Sequence, residues 1–179
     1  MPVTVMTGPV ASGKSRLASS MAAAWSGPVL VIATAEARDD EMRERIERHR
    51  EERPGEWRVQ EVPIDLVEAI DAADPEEFVI VDCLTLWTSN LLGAGVSESD
   101  IVDRARIVAR KAAARRAPVA VVTNEVGWGI VPVNDMARSY RDLLGTVNAS
   151  FVDVAERALL VVAGRVLPLR PADPSELVP

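Results

Sequence analysis

A glycine-rich loop between a predicted strand and a predicted helix constrains this chain more than any other feature. Residues 8–15 read GPVASGKS, which satisfies the pattern G-x-x-x-x-G-K-[ST]. An apolar run, VTVMT at 3–7, precedes the loop, and KSRLASSMAAAW at 14–25 has the composition of a helix. In this arrangement backbone N–H groups converge on phosphate oxygens at a helix N-terminus. The motif predicts a nucleoside triphosphate site made of Gly8, Pro9, Val10, Ala11, Ser12, Gly13, Lys14 and Ser15.

Two residues of this loop and one distant carboxylate predict the chemistry of the site. Lys14 would supply positive charge to the β- and γ-phosphates, and the hydroxyl of Ser15 would hold Mg²⁺. Asp82 ends the apolar run FVIVD at 78–82, so its carboxylate is expected at the carboxyl edge of a buried strand, within reach of the same ion. Asp82 could instead be a helix N-cap ahead of the segment CLTLW. We therefore predict Lys14 as catalytic and Ser15 and Asp82 as metal ligands.

Short β-branched runs alternate with longer helical patterns along the rest of the chain. Strands without polar alternation, separated by helices, indicate a parallel sheet covered on both faces. We expect one α/β domain, residues 1–179, of the P-loop (RecA-like) class, with a C-terminal antiparallel strand and a loosely held tail at 171–179. The predicted strands are 3–7, 28–34, 57–62, 78–82 and 118–124, and the predicted helices 14–25, 39–53, about 65–72, 98–116 and 134–156. A terminal hairpin, 157–169, is expected to turn at Ala163 and Gly164.

Composition excludes several functional classes. The 179 residues carry a net charge of −7, so long-range attraction to nucleic acid is not expected. No apolar stretch approaches the roughly 20 residues needed to span a bilayer, and residues 1–15 do not resemble a secretory signal. A single cysteine, Cys83, cannot form an intrachain disulfide, which favours a reducing cytoplasm.

The only histidine of the chain, His49, lies in the charged segment RIERHREERPG at 45–55. Met42, Ile46 and His49 are spaced i, i+4 and i+7, so they share one face of the predicted helix, and we expect that face to point toward the protein. Histidine can act as a base, a nucleophile or a metal ligand. A metal role is disfavoured because no second histidine or cysteine is nearby. The segment taken alone also fits an incidental histidine on a solvated helix.

Five segments, in this order, closely resemble the family of bifunctional adenosylcobinamide kinase/adenosylcobinamide-phosphate guanylyltransferases. They are GPVASGKS, DDEMRERIERHREERPGEW, VDCLTLWTSNLL, TNEVGWGIVP and YRDLLGTVN. The resemblance extends over about residues 2 to 169. It implies an enzyme of cobalamin biosynthesis that phosphorylates adenosylcobinamide with ATP or GTP. The same enzyme then transfers GMP from GTP to that phosphate, which gives adenosylcobinamide-GDP and pyrophosphate.

The resemblance also implies roles for individual residues. His49 would be the nucleophile that carries GMP as a covalent intermediate, and position 48 is Arg where some members have a second histidine. The family is oligomeric, which implies a trimer here with a corrinoid cleft between subunits. Two departures from the family pattern are Ala149, where Gln is expected after Asn148, and Asp82, where Glu is expected. Further nucleotide contacts are implied for the phosphate loop and for Ala33, Thr34, Ala35, Arg50, Glu51, Glu52, Arg53, Glu61 and Asp82.

The segment TNEVGWGIVP, residues 123–132, is expected to end a strand and open into a loop beside the phosphate loop. Glu125 could assist the metal or the acceptor hydroxyl, and Gly127 and Gly129 would let the backbone approach a bulky ligand. Trp128 could serve the ligand or simply pack in the core. Asn124 and Arg141 are further candidates.

Without the resemblance, the residues leave two other functions open. One is a simpler small-molecule P-loop kinase in which His49 is structural or contacts phosphate. The other is a nucleotide-dependent switch or assembly ATPase that has no acceptor. Labelled GTP separates the three functions. Transfer of the α-label to the protein supports the guanylyltransferase, γ-transfer to a small acceptor alone supports the simpler kinase, and hydrolysis coupled to partner binding supports the switch.

Overall fold

The computed structural model describes residues 3–173, apart from the side chain of Arg45, and these residues form one seven-stranded sheet with helices on both faces. The strands are β1 (Val3–Thr7), β2 (Val29–Ala33), β3 (Arg58–Glu61), β4 (Phe78–Asp82), β5 (Val119–Val122), β6 (Arg157–Val162) and β7 (Arg165–Leu169). The helices are α1 (Lys14–Ala23), α2 (Asp40–Glu51), α3 (Leu66–Ala72), α4 (Leu84–Gly93), α5 (Glu98–Ala113) and α6 (Asp135–Val152). The predicted mostly parallel α/β fold is confirmed.

The strand order is β3-β2-β4-β5-β1-β6-β7. Every neighbouring pair is parallel except β6 and β7, which form the predicted antiparallel hairpin. Its turn lies at Ala163 and Gly164, whose φ angles of 50° and 72° place both in the left-handed region. The order sets β5 between β1 and β4, so the segments that follow these three strands meet at one edge of the sheet.

Two cores cover the sheet because successive residues of each strand point to opposite faces. Val79 and Val81 of β4 belong to the larger core, which is packed against α3, α4, α5 and α6. Phe78 and Ile80 belong to the smaller core, which is packed against α1 through Ala18 and Ala22. This burial on both faces explains why the strands are continuous apolar runs.

Helix α4 was not predicted. Its buried residues include Leu84, Trp87 and Leu91, and Asn90 is buried among them, so the segment lacks the single apolar stripe of a surface helix. Its N-cap is Cys83, which makes no side-chain capping hydrogen bond. The alternative that Asp82 caps this helix is therefore wrong.

The helix boundaries otherwise differ from the predictions mainly at their C-terminal ends, by two to four residues. Three helices begin at side-chain caps that the sequence offers, Asp39 for α2, Ser97 for α5 and Asn134 for α6. Within the described residues no helix is both long and apolar enough to cross a bilayer. Of the predicted loose tail, residues 171–173 carry no regular structure and 174–179 lie outside the described residues.

Candidate active site

The phosphate loop connects β1 to α1, and its lysine points into the loop. The Lys14 side chain is only 5% exposed, and its Nζ donates hydrogen bonds to the carbonyl oxygens of Gly8 (3.0 Å) and Pro9 (2.6 Å). Gly13, the N-cap of α1, has a φ of 101°, a conformation that glycine adopts at little cost. The ammonium group therefore lies among the loop carbonyls, at the N-terminus of α1, where a phosphate would bind.

The C-terminal hairpin packs directly against this loop. The amide of Gly164 donates to the carbonyl of Ser12 at 2.8 Å. A β-carbon on Gly8 would lie 2.2 Å from the carbonyl oxygen of Val161, so no larger residue fits there without displacing backbone. The loop therefore depends on β6 and β7 for its shape.

Asp82 lies at the end of β4 and uses its two carboxylate oxygens differently. Ser15 Oγ donates to Oδ1 at 3.4 Å, and the Arg53 guanidinium bonds to Oδ2 at 3.0 Å. The side chains of Arg53 and Asp82 are 11% and 15% exposed, so this ion pair is largely shielded from water. The Ser15 hydroxyl and the Asp82 carboxylate are hard oxygen donors that face each other, a donor set that suits Mg²⁺.

Helix α2 places His49 beside the phosphate loop. Met42, Ile46 and His49 are each partly buried, as predicted, while the neighbouring Glu47 and Arg48 are exposed. The His49 side chain is 35% exposed, and its Nδ1 lies 3.6 Å from Glu52 Oε2. A cavity of about 370 Å³ separates the end of α2 from the start of α1. It is lined by Ser15, Arg16, Ser19, His49, Glu52 and Arg53.

The remaining residues predicted to contact the nucleotide lie in three separate parts of the structure. Ala33 ends β2, and Ala35 follows it at the same edge of the sheet. Arg50 and Glu51 are exposed and are not among the residues that line the 370 Å³ cavity. Glu61 ends β3 and lines a separate cavity of about 390 Å³ with residues 62–65. The cavity that contains His49 is therefore not lined by Arg50, Glu51 or Glu61.

Thr34 is fully buried and joins the ends of two strands. Its hydroxyl donates to the carbonyl of Cys83 (2.7 Å) and accepts from the Cys83 amide (2.8 Å), and its own carbonyl accepts from Asn90 Nδ2 (2.8 Å). Thr34 therefore fixes the position of the segments after β2 and β4. Burial, and secondly the neighbouring Asp82 carboxylate, raises the pKa of the Cys83 thiol, so the thiol stays protonated at neutral pH.

The segment after β5 lies beside the phosphate loop, as the sequence predicts. The amide of Glu125 donates to the carbonyl of Gly8 at 3.2 Å, and its carboxylate accepts from Thr7 Oγ1 at 2.7 Å. Trp128 is 68% exposed, so the core-packing alternative for this residue is wrong. Arg141, on α6, pairs with Asp142. Together with Gly127, in the loop before α6, Arg141 lines an open cavity.

Sequence reasoning missed three residues of the site. Arg16 and Ser19 line the cavity of His49, and Ser19 could have been found because it is four residues after Ser15 on α1. Asn148, near the C-terminal end of α6, donates to Glu125 Oε1 at 3.3 Å. No local pattern distinguishes Asn148 from a helical residue of no special role.

These elements define a P-loop nucleotide-binding protein, with a lysine inside a glycine-rich loop and a carboxylate opposite the loop serine. The family model described as cobinamide kinase / cobinamide phosphate guanyltransferase matches residues 4–169. The chain belongs to this family of enzymes, and the prediction of a kinase and guanylyltransferase of cobalamin biosynthesis is confirmed at that level.

Three bacterial relatives support this assignment. The bifunctional adenosylcobalamin biosynthesis protein CobU of Escherichia coli is 42% identical over 173 residues, which cover 89% of this chain and 95% of the relative. CobU of Salmonella typhimurium is 39% identical, with 89% and 95% covered. The bifunctional protein CobP of Pseudomonas aeruginosa is 36% identical, with 93% and 96% covered.

Solved structures of lower identity share the fold alone. An ATPase of a bacterial type III secretion system superposes with a TM-score of 0.53 at 12% identity, covering 89% of this chain and 50% of that one. The structure of PH0250 from Pyrococcus horikoshii superposes with a TM-score of 0.56 at 8% identity, covering 97% and 88%.

Proposed function

We propose that this enzyme phosphorylates the aminopropanol hydroxyl of adenosylcobinamide with ATP or GTP, and then transfers GMP from GTP to the new phosphate through a guanylyl-His49 intermediate. The observation that carries the second half is the cavity shared by Ser15 of the phosphate loop and His49 of α2. A triphosphate held by the loop would then have its phosphates on the wall opposite the imidazole. This placement supports attack by His49 on the α-phosphorus, and the labelling test below separates it from a simple phosphate contact in a kinase.

In the kinase step the loop supplies positioning and charge. Lys14 would neutralise the transferring γ-phosphoryl group, and the amides at the start of α1 would hold the other phosphate oxygens. Ser15 and Asp82 would hold Mg²⁺, which neutralises phosphate charge when bound. The Arg53 guanidinium, paired with Asp82, adds a further positive charge at the edge of the cavity.

In the guanylyl step His49 would attack the α-phosphorus of GTP. A phosphorus–nitrogen bond forms, the bond to the α–β bridging oxygen breaks, and pyrophosphate leaves with the electron pair. A phosphate oxygen of adenosylcobinamide-phosphate then attacks the same phosphorus and the phosphorus–nitrogen bond breaks. Nδ1 faces the Glu52 carboxylate, which favours a proton on that nitrogen and makes Nε2 the attacking atom.

The test is capture of the intermediate with α-labelled GTP. The parent should form a GMP adduct that is labile in acid and stable in alkali, as a phosphorus–nitrogen bond requires. His49→Ala should form none, and its GMP transfer should fall by orders of magnitude at any GTP concentration, because the chain has no other histidine. Phosphorylation of adenosylcobinamide should persist, since Lys14, Ser15 and Asp82 remain.

The matched control is Glu47→Ala, an exposed position of the same helix outside the cavity, which should label like the parent. A His49→Ala protein that still forms the adduct would exclude His49 as the nucleophile. Weaker GTP binding with normal transfer at saturation would assign it a phosphate contact only. If His49→Ala loses both reactions because it does not fold, the test is repeated with His49→Asn, which keeps a polar side chain of similar reach.

We also propose a cytoplasmic homo-oligomer, a trimer by resemblance. The single cysteine fits a reducing compartment. The segment after β5 and the first turn of α6 expose six large apolar side chains, a concentration that is typical of protein interfaces. These are Val126, Trp128, Ile130, Val131, Val133 and Met136. Light scattering at working concentration should give a multiple of the chain mass of 19.3 kDa, and a sharp monomer peak would contradict the proposal.

A further inference from the structure

We propose that Glu125 accepts the proton of the acceptor hydroxyl in the kinase step, and that Asn148 and Thr7 are positioning residues that hold its carboxylate. This inference rests on the proposed function. Three residues from separate parts of the chain would act together to remove the proton of the acceptor hydroxyl.

The carboxylate of Glu125 is held from two sides. Thr7 Oγ1, at the end of β1, donates to Oε1 at 2.7 Å, and Asn148 Nδ2, in α6, donates to the same oxygen at 3.3 Å. Both bonds end on Oε1, so the second oxygen, Oε2, lies outside this network. A carboxylate oriented through one oxygen keeps the other available for a proton.

Asn148 is itself fixed before it reaches Glu125. It is 6% exposed, its Oδ1 accepts from Thr123 Oγ1 at 2.7 Å, and its Nδ2 also donates to the carbonyl of Asn124 at 3.1 Å. With three polar contacts on a buried amide, the side chain has one orientation. Asparagine at this position of a helix is otherwise unfavourable, so its contacts rather than its propensity account for its presence.

Glu125 lies close to the loop lysine, which would neutralise the transferring phosphate. The carbonyl of Gly8 accepts from both the Glu125 amide (3.2 Å) and Lys14 Nζ (3.0 Å), so one peptide oxygen links this residue to the loop lysine. Asp82, a second carboxylate beside the phosphate loop, bonds to Ser15 and Arg53. The two carboxylates thus have different partners, which suits Asp82 to the metal and Glu125 to the acceptor.

The proton of the acceptor hydroxyl passes to Glu125 Oε2 as the hydroxyl oxygen forms its bond to the γ-phosphorus. The bond from that phosphorus to the β–γ bridging oxygen breaks, and its electron pair leaves with the nucleoside diphosphate. Glu125 later returns the proton to solvent. GMP transfer needs no such proton acceptor, because the acceptor there is already an anionic phosphate.

The experiment compares both half-reactions in the same variants. Glu125→Gln should lower kcat for phosphorylation by about 10²-fold or more. Asn148→Asp keeps the shape and the acceptor for Thr123 but replaces the donor to Glu125, and Thr7→Val removes the other donor with little change in shape. Each should lower the phosphorylation kcat by about tenfold or more, with nucleotide KM within about threefold of the parent. GMP transfer to supplied adenosylcobinamide-phosphate should stay near the parent rate.

Ser150→Ala, at a half-buried position of α6 where the hydroxyl donates to the carbonyl of Thr146, is the control for altering the helix. In a Glu125→Gln background the Asn148 and Thr7 changes should cost little more, because their effect passes through the carboxylate. If both half-reactions fell equally, or if the effects of the Asn148 and Thr7 changes on kcat were fully additive with that of Glu125→Gln, these residues would have a structural role and the inference would be overturned. A parent that phosphorylates no adenosylcobinamide would instead refute the proposed function, whatever the variants do.

Discussion

Replacing Arg53 with Met tests whether the ion pair with Asp82 holds α2 and its histidine in place. The guanidinium and carboxylate are 3.0 Å apart and are 11% and 15% exposed. At an effective dielectric constant of about 20, charges at this separation attract by about 5 kcal/mol. Desolvation and side-chain ordering offset more than half of this attraction. We therefore expect Arg53→Met to lower the free energy of unfolding by about 2 kcal/mol, since it leaves a shielded carboxylate without its partner.

For a domain of this size, a loss of about 2 kcal/mol corresponds to a fall in Tm of about 4–8 °C. Arg53 lies just beyond the last residue of α2, so its loss should also loosen the turn that carries His49. Formation of the GMP adduct at saturating GTP should therefore slow by about tenfold. Phosphorylation at saturating Mg²⁺ should fall by only a few-fold, through the loss of the Arg53 charge, because Asp82 keeps its contact with Ser15.

Calorimetry and single-turnover labelling with α-labelled GTP measure the two effects. Arg48→Met, on the exposed side of the same helix, is the matched control and should change neither. The double variant Arg53→Met/Asp82→Asn should recover part of the lost stability, since no unpaired carboxylate remains. A Tm within about 1 °C of the parent, together with unchanged labelling, would refute the view that this pair fixes α2.

Three further predictions concern separate parts of the molecule. Lys14→Ala should lower phosphorylation by about 10²–10³-fold in a steady-state assay, and GMP transfer should also fall if one phosphate site serves both reactions. Asp82→Asn should raise the Mg²⁺ concentration needed for half-maximal phosphorylation, and failure of added Mg²⁺ to rescue activity would contradict the metal role. Arg115→Leu should lower the free energy of unfolding by about 3 kcal/mol in urea titrations, with phosphorylation unchanged at 25 °C, because the guanidinium donates to four backbone carbonyls. These belong to Ile70, Ala73, Asp74 and Glu77.

The parts of the fold that sequence predicts well are those encoded by neighbouring residues. The phosphate loop is a contiguous motif, and β1, β2 and β4 are apolar runs because both of their faces are buried. The partly buried face of α2 was also predictable, since it follows from the spacing of Met42, Ile46 and His49. Helix α4 was missed for the opposite reason, because burial on most sides removes the periodicity by which a helix is recognised.

Residues of the site were predictable from the sequence only where the residue type itself indicates the chemistry. Lys14, Ser15, His49 and Arg53 were predicted, and all but Lys14 line one cavity. The contact of Thr7 with Glu125 joins positions 118 apart in sequence, and nothing in either local segment indicates it. Such contacts depend on strand order, which places β1 next to β5 and was not predicted from the sequence.

The packing of the C-terminal hairpin against the phosphate loop has a consequence for the order of events during protein synthesis. β1 is translated first, but its partners β5 and β6 begin at residues 119 and 157, and the loop receives its bond from Gly164 only afterwards. A nascent chain that ends before β6 carries the complete loop sequence without the backbone that shapes it. Because these pairings are long-range, they form late. The ability to bind nucleotide should therefore arise in one step, when the last strands leave the ribosome.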